Sequence, residues 1–194
     1  NNSLSAITSL PASISGGAMT LISTVTASSS STLDFTSGID STYDEYVFKF
    51  YDIHPATDGA YLTFQSDTGT NTNYNQTVTS TFIYAQNDEA DSDTTLAYAT
   101  SRDQANGTAF QPISLSIDAD NDSSLSGTLQ IFNPSSDTFV KHFISKQNEV
   151  GNGYYNYNTY SAGYFNTTTA LTRFQFKMSS GNIDSGVIKL YGIS

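Results

Sequence analysis

The sequence predicts an all-β protein: an antiparallel two-sheet β-sandwich, jelly-roll-like, with an extended N-terminal arm. Three observations predict it. Short runs of apolar residues with strand spacing recur from Met19 onward, each closed by turn residues. No segment sustains a helical period, so a βαβ arrangement has nothing to build its crossovers from. The composition is that of pleated strands: Tyr and Phe bring the aromatics to 13%, charged residues are also only 13%, and Ser, Thr and Asn carry the remaining polarity. β-Branched, hydroxyl and aromatic side chains fit a half-buried pleated surface better than a helix. The 194 residues suffice for one core, assigned to residues 18–194.

Residues 1–17 read as a separate docking arm. Leu4, Ile7, Leu10 and Ile14 are spaced among Ser and Ala, Pro11 and the serines disfavour a helix, and Gly16-Gly17 forms a joint before the first strand. Holding such a segment in place costs about 1–2 kcal/mol per residue in backbone entropy, so its apolar residues are expected to order on a neighbouring protein. Leu33 and Phe35 then alternate with Thr32, Asp34 and Thr36, giving one buried face. Tyr46–Ile53 is apolar on both faces, as in a central strand. The turn from His54 to Gly59 leads into Tyr61–Phe64. Further strands are expected over Thr81–Ala85, Thr95–Thr100, Ile113–Ile117, Thr128–Phe132, Thr138–Ser145, Tyr154–Tyr160, Thr172–Met178 and Val187–Tyr191. The expected core comprises Phe35, Phe48, Phe50, Phe64, Leu115, Ile131, Phe174, Phe176, Ile188 and Leu190.

A net charge of −11 repels phosphate backbones and anionic lipid, which argues against nucleic-acid and membrane partners. No apolar run is long enough to cross a bilayer, and the first ten residues lack the pattern of a signal peptide. Without cysteine, no disulfide or thiolate metal site forms. His54 and His142 stand apart and outside any zinc-ligand spacing, and no nucleophile elbow or phosphate loop is present, so catalysis and cofactors are not expected. Asp118, Asp120 and Asp122 alternate as calcium ligands do, yet Ser123 stands where an EF-hand loop needs Gly and Leu129 where it needs Glu. Solvated loop tips are the expected reading there and at Asp88-Glu89-Ala90-Asp91-Ser92-Asp93, with calcium the alternative.

The densest unusual feature is Gly153-Tyr154-Tyr155-Asn156-Tyr157-Asn158-Thr159-Tyr160. On a strand, Tyr155 and Tyr157 share one face, and Tyr154 and Tyr160 the other. Tyrosine joins a broad apolar ring to a polar tip, so one face is expected to cover the core and the other to contact a protein or a sugar.

Several segments together resemble the virion structural proteins of marine tailed bacteriophages, of the capsid-decoration and fibre type. They are Asp34–Asp40, Tyr43–Phe50, His54–Asp58, Asp88–Asp91, Phe132–Ser136, Phe139–Phe143, Phe176–Ile183 and Ile188–Gly192. The resemblance covers most of the chain and implies a non-catalytic β-sandwich on the outside of the particle, made in the host cytoplasm and docked on capsid or other virion proteins. It supplies no catalytic residue. A homo-oligomer is expected, a trimer first. Two alternatives stay open: a receptor-binding tail-fibre domain touching host surface glycans, and an extracellular carbohydrate-binding or adhesion module.

Overall fold

The structure is a computed structural model that describes residues 19–194. Its strands are β1 (Thr20–Thr26), β2 (Leu33–Phe35), β3 (Glu45–Pro55), β4 (Leu62–Thr68), β5 (Val78–Asp88) and β6 (Thr94–Tyr98), followed by β7 (Gln111–Pro112), β8 (Leu125–Phe132), β9 (Lys141–Gly151), β10 (Tyr155–Phe165), β11 (Leu171–Met178) and β12 (Ile183–Ile193). Eight strands form one sheet in the order β1-β12-β3-β8-β9-β10-β5-β6, and four form the other in the order β2-β11-β4-β7. All neighbours are antiparallel. The protein is the antiparallel two-sheet sandwich that the alternation predicts. The arm residues Leu4, Ile7, Leu10 and Ile14 lie outside the described residues.

The chain changes sheet at each of its first four connections and again on both sides of β7 and of β11. The His54–Gly59 turn is therefore a crossing between layers. Gly59 takes a φ of 72°, and its N–H donates to the Ile117 carbonyl at 3.0 Å. Between the layers, Phe176 of β11 meets Phe48 and Phe50 of β3 at ring-centroid distances of 5.0 and 5.4 Å, and within its own sheet it meets Phe35 of β2 at 5.9 Å. Phe64 of β4 reaches Phe143 of β9 at 5.2 Å and Phe165 of β10 at 5.9 Å. Most of these pairs are edge-to-face, the arrangement that the ring quadrupole favours.

Nine of the ten expected core residues are buried; Leu115 is not, and Ile113 and Ile117 fill its place. The reason is local. The expected strand Ile113–Ile117 keeps the edge of β4 only intermittently: Ile113 N–H donates to Leu62 O and Ile117 N–H to Ala60 O. Between them the Ser114 hydroxyl accepts the Leu62 N–H at 2.7 Å, and the Leu115 and Ser116 N–H groups donate to the Glu149 carboxylate across the sandwich at 2.6 and 3.2 Å. Side chains thus replace ladder partners. The strand expected from Thr138 instead begins at Lys141, because the Ser136 hydroxyl accepts the N–H groups of Thr138 and Phe139 and holds them in a turn.

Candidate functional site

The outer face of the eight-stranded sheet is the most unusual surface among the described residues. Residues directly opposite on neighbouring strands face the same way, and the pairing defines two continuous rows. One runs Tyr98, Ile83, Tyr160, Lys146, Thr128, Lys49, Lys189, Thr24 from the β6 edge to the β1 edge. Beside it runs Thr81, Ala162, Ile144, Gln130, Val47, Tyr191, Leu21. Among the described residues ten large apolar side chains are open to water. Eight project from this face: Leu21, Tyr51, Ile83, Leu96, Tyr98, Ile144, Val150 and Tyr160. The other two, Phe139 and Tyr154, stand in connections.

The face divides in two. Towards β1, Lys49 and Lys189 are directly opposite each other, a pairing that like charge disfavours. They lean apart along the strands, Lys49 over the Tyr191 ring at 5.5 Å and Lys189 over Tyr51 at 5.2 Å. Towards β6, Ile83, Ile144, Tyr160, Ala162 and Thr81 surround an almost wholly apolar hollow of about 200 Å³. Lys146 Nζ stands 5.5 Å over the Tyr160 ring.

The sequence-singled tyrosines part company. Tyr155 and Tyr157 do share a face, stacked at 5.6 Å with 15° between ring planes, and Tyr157 is buried against the inner side, edge-on to Tyr84. Tyr160 points outward as expected. Tyr154, expected beside Tyr160, lies instead in the β9–β10 turn at φ 63°, a left-handed conformation uncommon for a bulky residue. The preceding Gly153 already turns at φ 86°, and the Glu89 N–H holds the Tyr154 carbonyl at 3.2 Å.

That turn is where the two acidic segments meet. A furrow of about 370 Å³ is lined by Asp88, Glu89, Asp91, Tyr154 and Asn156, among others. An adjoining space of about 290 Å³ shares Glu89, Val150 and Tyr154 with it and adds Asp122 and Ser123. Asp88 is committed to the turn, accepting N–H bonds from Ser92 and Asp93. The Ser92 hydroxyl bond, first among the causes, holds its carboxyl below the usual carboxylate range. Asp118 Oδ1 accepts the Asp120 N–H at 3.0 Å, an Asx turn, while Asp122 faces His54 and Asp52. Among the described residues no three His, Cys, Asp or Glu side chains converge as a metal site, so Asp118, Asp120 and Asp122 do not form one ligand cage. His54 Nδ1 is 2.7 Å from the Ser123 carbonyl, and His142 lies 6.1 Å from Tyr164.

Sequence reasoning missed Ile83, Ile144, Leu96 and Tyr98 as surface residues. The signal was there in β9, where Ile144 and Val150 alternate with Ser145, Gln147 and Glu149, but hydrophobicity alone assigns the two faces the wrong way round. Compared with known proteins, the chain matches no family, no curated protein and no solved structure.

Proposed function

We propose that the chain is a non-catalytic structural protein on the surface of a tailed-bacteriophage particle, attached by protein–protein contact through the outer face of its eight-stranded sheet. One observation carries this reading: among the described residues, eight of the ten exposed large apolar side chains share that face. Soluble monomers rarely expose contiguous apolar patches beyond a few hundred Å², and larger ones mark interaction surfaces. Tyrosines and lysine stems supply the amphipathic contact that protein interfaces favour. The resemblance of Asp34–Asp40, Phe132–Ser136 and Phe176–Ile183 to virion proteins supplies the setting, with capsid or neighbouring virion proteins as partners and a homo-oligomer, a trimer first, as the assembly. Electron microscopy of the intact particle tests the location, and co-sedimentation with particles stripped of the protein tests the face. Leu96→Ser with Tyr98→Ser should lose attachment while keeping the wild-type melting curve. Attachment at wild-type level, or absence of the domain from the particle surface, refutes the reading.

The furrow around Tyr154 favours a second reading, a receptor-binding domain that contacts host glycans. An exposed aromatic ring beside carboxylate and amide acceptors is what stacking on a sugar and bonding its hydroxyls requires. Glycan-array binding that Tyr154→Ala abolishes would select it, and silence on the array would leave the attachment reading alone.

A further inference from the structure

We propose that the hollow between Ile83, Ile144, Tyr160 and Ala162 receives the N-terminal segment of a neighbouring copy of this chain, with Leu10 and Ile14 as the inserted side chains. The inference rests on the reading of the chain as a self-assembling surface protein and names the contact that joins its copies.

The hollow's size and lining select the kind of occupant. At about 200 Å³ it falls below the roughly 300–1,000 Å³ of small-molecule sites, and its walls offer almost nothing to bond a polar ligand, so a few aliphatic side chains fit it best. Charge narrows the choice further. The chain as a whole carries −11, so two copies repel wherever charged surfaces approach. No charged residue occurs before Asp34, which makes the N-terminal segment the long stretch of this chain that can approach another copy without that cost. Within it, Leu4, Ile7, Leu10 and Ile14 are more apolar than a solvent-exposed tail requires.

Placement selects the neighbour. The segment joins the sheet at β1, one edge, while the hollow lies close to the other edge, spanning β5, β10 and β9. With the β1 edge of one copy beside the β6 edge of the next, the neighbour's hollow, centred on β10, is three strand spacings or about 15 Å from β1. Its own hollow is five strand spacings or about 24 Å away across its own sheet, so the neighbour's is the nearer. Leu21 stands at the β1 end of the very row that contains Ile144 and Ala162, so the segment leaves level with the target. From Thr20 an extended chain spans about 20 Å to Ile14 and about 35 Å to Leu10, enough for that path. A contact between opposite edges is head-to-tail, and it closes into a ring when the rotation per copy divides a full turn.

Sedimentation velocity of the full chain over a range of concentrations tests the inference. Wild type should self-associate. Ile83→Ser with Ile144→Ser, which alters only the hollow, and Leu10→Ser with Ile14→Ser, which alters only the segment, should each weaken association at least about tenfold. An equimolar mixture of the two variants should recover dimers and nothing larger, because one intact segment meets one intact hollow. A monomeric wild type overturns the inference, as does a variant that associates like wild type or a mixture that stays monomeric. A segment resistant to thermolysin in a monomer at every concentration also overturns it, since the chain would then be filling its own hollow. Particle attachment by the Leu10→Ser, Ile14→Ser variant separates this inference from the attachment reading, which survives if attachment persists.

Discussion

Within one sheet, β3 and β9 are built in opposite senses. β3 turns Tyr46, Phe48 and Phe50 inward and Lys49 and Tyr51 outward. β9 turns Ser145, Gln147 and Glu149 inward and leaves Ile144 and Val150 in water. The difference lies in what each strand faces. Opposite β3 stand Phe174 and Phe176 of a regular strand, whose backbone is already paired, so only apolar contact remains to be gained. Phe143 of β9 and Phe165 of β10 still meet Phe64 of β4, but beyond them these strands face the irregular stretch after β7, whose backbone groups need partners: Glu149 accepts from Leu115 and Ser116, and the Thr159 hydroxyl donates to the Ile113 carbonyl at 3.2 Å. Gln111 adds bonds to the Arg102 and Pro112 carbonyls. The polar half is incompletely satisfied, since Glu149 Oε2 and Gln147 Oε1 are buried without a partner. Each such atom costs about 1–3 kcal/mol. The contrast shows that a strand's inner face is chosen by the hydrogen-bonding needs of the opposing layer as much as by its own hydrophobicity.

The sharpest way to break that contrast is in the apolar half. Phe176 packs against Phe35, Phe48, Phe50 and Phe64, and Phe176→Ala should cost about 3–5 kcal/mol in denaturant unfolding. A loss under about 1 kcal/mol would mean that the aromatic layer is no more critical than an ordinary surface position.

In the polar half the sensitive quantity is pH. Burial pushes the Glu149 carboxyl up to about 7, against an ordinary 4.5. Between those values the folded chain holds a proton that the unfolded chain releases, so stability is greatest at the acid end and falls as pH rises through 7. Melting curves between pH 5 and pH 8 should record this fall, up to about 3 kcal/mol. Glu149→Gln keeps an acceptor for Leu115 and Ser116 and should flatten the dependence, exceeding wild type at pH 8. A wild type equally stable across that range would place the carboxylate in contact with water.

The smallest effect belongs to the outer face. Ile144→Ala should change the stability of the isolated chain by no more than about 0.5 kcal/mol, since the side chain is 48% exposed. A loss comparable to that of a core isoleucine would show that this face is covered within the free protein.

The sequence made the apolar half legible because period and hydrophobicity agreed there: Leu33, Phe35, Phe48, Phe50, Phe174 and Phe176 all face inward as their spacing requires. The polar half was legible as strands but not as faces. Glu149 is inside for the sake of backbone groups more than thirty positions away in sequence, and beside it Gln147 donates to the Thr128 carbonyl and to the Ser145 hydroxyl; no local pattern announces such partners. Leu115 was misplaced for the same reason. Of the candidate sites, Tyr160 was found where its alternation put it, whereas Tyr154 was displaced by the left-handed turn that begins at Gly153. The acidic segments were visible as loops, but their meeting at Tyr154 depends on how the β5–β6 and β9–β10 turns come to share one end of the sandwich.

The position of β12 has a consequence for how the chain reaches this state. It is the last described strand, yet it lies inside the large sheet, with β1 on one side and β3 on the other. During synthesis β1 and β3 therefore wait without their shared neighbour until Ile183–Ile193 has been made. Contacts between such distant segments slow folding, and the waiting strand edges are open to pairing with other chains. β1 in particular carries no charged residue to guard its edge, so the yield of folded protein should depend on how quickly β12 closes the gap.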